Sequence, residues 1–147
     1  MSKLTSIGTK LYMADGLPAT ADQAGYEALT WVEIGEVTDI PQYGPTTQVI
    51  ESNPLKDGIV QKFPGSTNYG SADIGMDLDP ADAGQIAIEA ALPIAGVKNV
   101  KSFHVDYTGF SEYFSGSIFS NMRGAGGNSM VSSTSNIELD TAILRVV

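Results

Sequence analysis

The chain has 147 residues, which places it at one domain, long enough to bury roughly 68–70% of its unfolded surface in a single core without disulfides or metals. Seventeen acidic against eight basic side chains give a formal charge of −9, and 42% hydrophobic with only 17% charged residues excludes a polyelectrolyte or a disordered tail. An acidic surface disfavours ordinary nucleic-acid binding, and the absence of cysteine excludes a disulfide framework, a thiol nucleophile and a zinc-thiolate site.

Met1-Ser2-Lys3-Leu4 leads into polar sequence without the apolar run of a signal peptide, and no later stretch approaches membrane-spanning length. The expectation is a soluble, cytosolically made chain with no membrane partner. Sixteen glycines and seven prolines scattered along the sequence suit many short elements joined by turns, so mostly β structure is expected.

Thr9 to Ala14 alternates as a strand, with Leu11 and Met13 on one face and Lys10 and Tyr12 on the other. Asp15-Gly16-Leu17-Pro18 breaks it, and the small, polar stretch to Thr30 carries no element. Trp31 to Val37 reads as a second strand ending before the Pro41–Pro45 corner, and Thr46 to Glu51 as a third. From Ser52 to Gln61 the Asn, Pro, Asp and Gly residues predict a long exposed hairpin loop, followed by a turn-rich segment around Phe63-Pro64-Gly65 and Tyr69-Gly70.

Ser71 to Leu78 alternates with Ala72, Ile74, Met76 and Leu78 toward a core. Asp79-Pro80-Ala81-Asp82 predicts a helix start, with Asp79 capping, Pro80 at the first helical position and Asp82 as a capping-box acid. The helix runs to about Leu92; Ile86, Ile88 and Leu92 form its apolar side, Gln85 and Glu89 its wet face, and Pro93 its end. Lys101 to Tyr107 and Glu112 to Ser120 make a hairpin, Arg123 to Asn128 a flexible turn, and Met130 to Val147 a β-rich run in which Ile137, Leu139 and Ile143 share a parity. The expected fold class is α+β, mainly β: a two-sheet sandwich or half-barrel of about seven strands with one flanking helix and a long hairpin loop.

Patterns that could carry chemistry fail on inspection. Asp77, Asp79 and Asp82 have the opening spacing of a calcium loop, but Pro80 and a helix start follow and the twelfth position is Ile88, so helix capping is the better account. His104 is the only histidine, with Asp106 on the same strand parity, and no G-x-S-x-G elbow arranges a triad. Gly65 to Gly70 has the glycine spacing of a phosphate loop, but Ser71 stands where lysine is required. No enzyme activity, cofactor or metal is expected. Trp31 with Phe103, Tyr107, Phe110, Tyr113, Phe114 and Phe119 offers either a sugar-stacking platform or, more in keeping with strand spacing, core and interface.

The order of elements resembles the tail tube (major tail) proteins of long-tailed, siphovirus-type bacteriophages. The resemblance rests on Gly8 to Tyr12, Trp31 to Ile40 with its Pro/Gly corner, the extended loop after Val49-Ile50-Glu51, and Ser71 to Leu78 entering Asp79 to Gln85 and the single helix. It implies a non-enzymatic virion subunit, made in the host cytoplasm, whose hexameric rings stack into a tube that passes DNA, with tape-measure and tail-terminator or baseplate proteins as partners. It further implies a lumen sheet from strands near 31–38, 46–51, 101–107 and 112–120, with Glu33, Ser102, His104, Asp106 and Ser117 as bore candidates. The ring-to-ring contact falls on Ser52, Asn53, Pro54, Leu55, Lys56, Asp57 and Gly58, within a loop that ends at Gln61. Six copies at −9 each carry −54, a charge that would repel phosphate from the bore. The alternative reading is a secreted or virion-surface β-sandwich module that binds carbohydrate through its aromatics.

Overall fold

Period-two alternation of apolar side chains sets the architecture, as the computed structural model of residues 3–147 shows. Ten strands and two helices occur among the described residues. The strands are β1 (Lys10–Asp15), β2 (Trp31–Ile34), β3 (Val37–Asp39), β4 (Thr46–Ser52), β5 (Gln61–Asn68), β6 (Ser71–Asp77), β7 (Lys101–Tyr107), β8 (Phe110–Gly124), β9 (Ser132–Leu139) and β10 (Leu144–Val146). The helices are α1 (Gln23–Glu27) and α2 (Ala83–Ala90). The fold is therefore mainly β with flanking helix, as expected, but with more elements than the sequence suggests.

Eight strands form one antiparallel sheet in the order β2-β1-β7-β8-β9-β6-β3, with β10 added alongside β8. Its two ends, β2 and β3, are consecutive in the chain and separated only by Gly35 and Glu36. The sheet therefore curls until its ends share a corner, in keeping with the expected sandwich or half-barrel. This corrects the single strand expected over Trp31 to Val37. Glu36 adopts φ +60°, a left-handed conformation unfavourable for a residue with a Cβ, and the break there sends β2 to pair with β1 and β3 to pair with β6.

The inward parity carries the core: Leu11, Met13, Ile34, Ala72, Ile74, Met76, Phe103, Val105, Phe114, Ile118, Ile137 and Leu139 are buried together, and Ile88 and Ala91 of the α2 region pack against them. A bulge at Phe119 changes the parity of β8, since Ile118 faces Ile137 while Ser120, not Phe119, faces Asn136. Beyond it Phe119 and Met122 are exposed, and Asn121 accepts hydrogen bonds from Ser133 (2.8 Å) and Ser135 (3.2 Å).

The α2 start differs from expectation in a way that explains the corner. Asp79 to Ala81 forms a turn in which the Asp79 carboxylate accepts from the Ala81 amide (3.0 Å), and Asp82 is the N-cap, accepting from the Gln85 amide (3.0 Å). The same Asp82 oxygen accepts from the Gly35 amide at 3.0 Å. Gln85, expected on the wet face, is only 5% exposed, whereas Ile86, expected in the core, is 51% exposed. The Gln85 side chain reaches inward: its Oε1 accepts from the Asp79 amide (2.9 Å) and its Nε2 donates to the carbonyls of Gly35 (3.1 Å) and Asp77 (2.8 Å). Backbone groups at the corner that need partners override the apolar periodicity of the helix. Glu89 does remain outside, in an ion pair with Arg123.

Two further segments depart from expectation. Gln23 to Glu27 forms α1, capped by Asp22, whose side chain accepts from Gly25 (2.8 Å). The segment around Phe63, read as turns, is β5, which pairs with β4 as a separate two-stranded ribbon. Consequently the strand at 46–51 lies outside the main sheet, and β1 stands between β2 and β7. The lumen sheet expected from the sequence does not form in that arrangement.

Gln85→Leu is expected to cost about 2–4 kcal/mol, because it strands buried backbone groups of Gly35, Asp77 and Asp79 without partners. Denaturant unfolding checks this; a loss below about 0.5 kcal/mol, the scale of ordinary surface changes, would show that the corner does not need the amide.

Candidate functional site

The ribbon β4–β5 is the part of the protein least like the interior. Every residue of β4 is exposed, and of β5 only Gly65 is partly covered. Cross-strand register places Ile50 beside Phe63 on one face, and Val49 beside Pro64 and Glu51 beside Lys62 on the other. Val49, Ile50, Leu55, Ile59, Val60 and Phe63 all stand in water, Leu55 completely so. Isolated two-stranded hairpins are marginal in water, and contiguous exposed apolar side chains mark an interaction surface. Glu51 and Asp57 balance Lys56 and Lys62, so the arm 46–68 is neutral and the whole −9 resides on the rest of the chain.

The expected contact loop is the tip of this arm. Ser52 pairs with Gln61 at the last rung of the ladder, and Asn53 leads into a turn in which the Gly58 amide donates to the Pro54 carbonyl (3.2 Å). Gly58 takes φ +65°, which glycine alone adopts freely. Leu55, Lys56 and Asp57 form the exposed crest. The sequence signalled the tip and the strand β4 that leads to it; it did not signal the returning strand β5.

At the root, the chain leaves the body past Tyr43 and Gly44 and returns past Gly70. The Tyr43 hydroxyl donates to Glu112 (2.8 Å) and pairs with the Tyr107 hydroxyl (2.8 Å), while Arg145 meets the other Glu112 oxygen at 3.4 Å. Burial, then the hydrogen bonds to Tyr107 and Glu112, push the Tyr43 phenol far above its usual pKa, so it stays protonated as the donor. Gly70 has φ +95°, and a Cβ there would collide with the Gly44 carbonyl oxygen. Gly70→Ala should therefore disturb the arm root at a cost of about 1–3 kcal/mol, measurable as a lower unfolding midpoint.

The bore candidates fall into two groups. Glu33, His104 and Asp106 share the outward face of β2 and β7, with Tyr12 of β1 between Glu33 and His104. Glu33 is exposed and Asp106 and His104 are partly covered. Ser102 and Ser117, by contrast, are 0% and 1% exposed within the protomer, so neither can face a channel as the subunit stands. Ser102 donates to the Gly16 carbonyl (2.7 Å) and lies 3.1 Å from the Ser115 hydroxyl, which in turn is 3.5 Å from Tyr26 of α1. The unpredicted helix α1 thus brings its Tyr26 down onto this end of the polar face.

His104 is enclosed by aromatic rings. Its ring stacks on Tyr113 (4.3 Å between centroids) and Tyr12 (5.1 Å), and meets Trp31 edge-on at 5.6 Å. Of the aromatic set weighed as a sugar platform, Phe103 and Phe114 are core and stack on each other. Trp31 and Tyr113 are engaged with His104. Among the described residues no group of three or more His, Asp or Glu side chains is arranged to hold a metal. No helix there is long and apolar enough to cross a membrane.

Burial lowers the His104 pKa from 6.5, against an upward pull from Asp106 and Glu27. The unfolded chain therefore takes up its proton at a higher pH than the native chain. Stability should fall as the pH drops below about 6.5 and this loss should level off below the depressed native value. Asp15, held down by Lys101, and Asp22, held down by the Gly25 amide, lose their contributions only as the pH falls below 3.8, outside that window. Denaturant midpoints of His104→Phe should be flatter than those of the parent between about pH 7 and 5; parallel profiles would remove His104 from the pH response.

No protein-family model matches the sequence, and no curated protein matches it. Solved structures do match over the full length. A chain of the sheath/tube terminator of an extracellular contractile injection system, PVC, aligns with TM-score 0.70 at 9% identity, covering 100% of this chain and 99% of the other. A chain of the anti-feeding prophage baseplate aligns with TM-score 0.72 at 9% identity, covering 99% and 97%. The SPP1 tail tube protein aligns with TM-score 0.68 at 16% identity, covering 98% of this chain and 79% of that one. This chain therefore shares its overall fold with those three chains.

Proposed function

We propose that this protein is a structural subunit of a phage-like tail tube, acting by self-association and not by catalysis. One observation carries the proposal: the arm 46–68 leaves six large apolar side chains in water on a ribbon too thin to stand alone. Burying such a side chain fully is worth about 1.5–3 kcal/mol, so a few of them covered in a contact offset much of the cost of association. Neutrality lets the arm approach another acidic body without Coulomb repulsion. The unpaired sides of β2 and β3 at the ends of the sheet supply edges for lateral pairing, giving closed rings with the arm as the vertical contact.

On this reading residues 1–147 are one tube-forming domain. Its ring number is six, in keeping with the six-fold symmetry of the anti-feeding prophage baseplate, and its partners are a tape measure and terminator or baseplate proteins at the tube ends. We assign the outward face bearing Glu33, His104 and Asp106 to the bore, where carboxylates keep passing DNA from adhering. The protein then resides in the virion tail after synthesis in the host cytoplasm.

Replacing Ser52–Gln61 with an Asn-Gly turn would join Glu51 to Lys62, which already face each other across the ladder. The variant should keep its circular dichroism and unfolding midpoint yet give no tubes in electron micrographs, where the parent at high concentration gives stacked rings. Tubes of normal length from the shortened arm would refute the vertical role.

A further inference from the structure

Leu55 stands fully clear of its own protomer at the end of a seven-residue strand about 23 Å long, so whatever covers it belongs to another molecule. The body carries a matching concavity. A half-open cleft of about 420 Å³ lies between the segment before β1, strand β3 with its continuation, and the β7–β8 turn. Leu4, Val37, Ile40, Tyr107 and Phe110 supply apolar wall, and Asp39 is the one charged lining residue. Thr9, also in the wall, has a buried hydroxyl without a partner among the described residues.

We propose that this cleft receives the Leu55 tip of the arm of a second copy, with Lys56 meeting the exposed Asp39 carboxylate. The inference rests on the arm being the vertical contact and goes further by naming its acceptor. The aliphatic crest meets the apolar part of a wall that also holds Thr5, Ser6, Thr9 and Thr38, and the cation next to it reaches the one charged lining residue. One rival acceptor is the cleft beside the exposed Ile86, and another is the exposed Met122. In the Ile86 cleft Glu89 is already paired with Arg123, and the Asp79 carboxylate is engaged by the Ala81 amide.

The chain contains no cysteine, so introduced pairs report without background. Asp57→Cys protein mixed with Thr38→Cys protein, assembled and then oxidised, should give disulfide-linked dimers of the two; both positions are exposed, and Leu55, Lys56 and Asp39 stay intact. Lys56→Glu should raise the concentration needed for assembly about threefold, and adding Asp39→Lys should restore it. Bonding of Asp57→Cys to Ile86→Cys or Met122→Cys instead, or no bond to Thr38→Cys in tubes that form and depend on the arm, overturns the acceptor alone. A parent protein that never polymerises overturns the acceptor and the tube reading together.

Discussion

The half-barrel depends on a corner held by one buried amide. Sequence-adjacent strands at opposite ends of a sheet can be joined by two residues only if the backbone turns sharply, and the turn leaves the Gly35 amide and carbonyl without ladder partners. Asp82 and Gln85, a helix N-cap and the residue three beyond it, supply those partners and at the same time cap α2 and bind the end of β6. Gly84 must lie beneath them, because a Cβ there would strike the backbone of Glu33 and Ile34. A single short helix therefore sets sheet curvature, strand exchange and the closure of the core. Without it β2 and β3 would have no reason to meet.

Beyond that corner the protein separates two jobs by charge. The body packs the core and carries the net negative charge, while it too leaves large apolar side chains such as Ile86, Ile94, Phe119 and Met130 exposed. The arm is neutral and keeps its apolar residues outside, and its root is held by a hydrogen-bonded network of Tyr43, Tyr107 and Glu112 at the end of the core. Such a network ties the aim of the arm to the packing of the body. Low sequence identity to structures of the same fold is what core packing allows, since many core compositions of similar volume fill one geometry.

The outward face of β7 shows how one unforeseen element changes the meaning of a pattern. Ser102, His104 and Asp106 alternate as solvent-facing residues should, and in an uncovered sheet they would be. Helix α1, made from a stretch with little periodicity, brings Tyr26 over one end and turns Ser102 and Ser115 into a buried hydroxyl layer. His104 then sits at the boundary, stacked between tyrosines.

What the sequence by itself determined is whatever a local period or turn residue encodes: the inward rows of β1, β6, β7 and β9, the β7–β8 hairpin, the helix after Pro80, and the exposed tip at Ser52 to Gly58. Those follow from side-chain alternation and from backbone preferences of Gly, Pro, Asn and Asp, which act within a few residues. Only the tertiary structure decided that Trp31 to Val37 breaks at Glu36, that Gln85 turns inward while Ile86 turns out, and that Ser102 and Ser117 are covered. It also decided that the segment after Gln61 is a strand of a free-standing arm. Each of these turns on where distant backbone groups find hydrogen-bond partners and which surface lies overhead, a balance that no window along the chain contains.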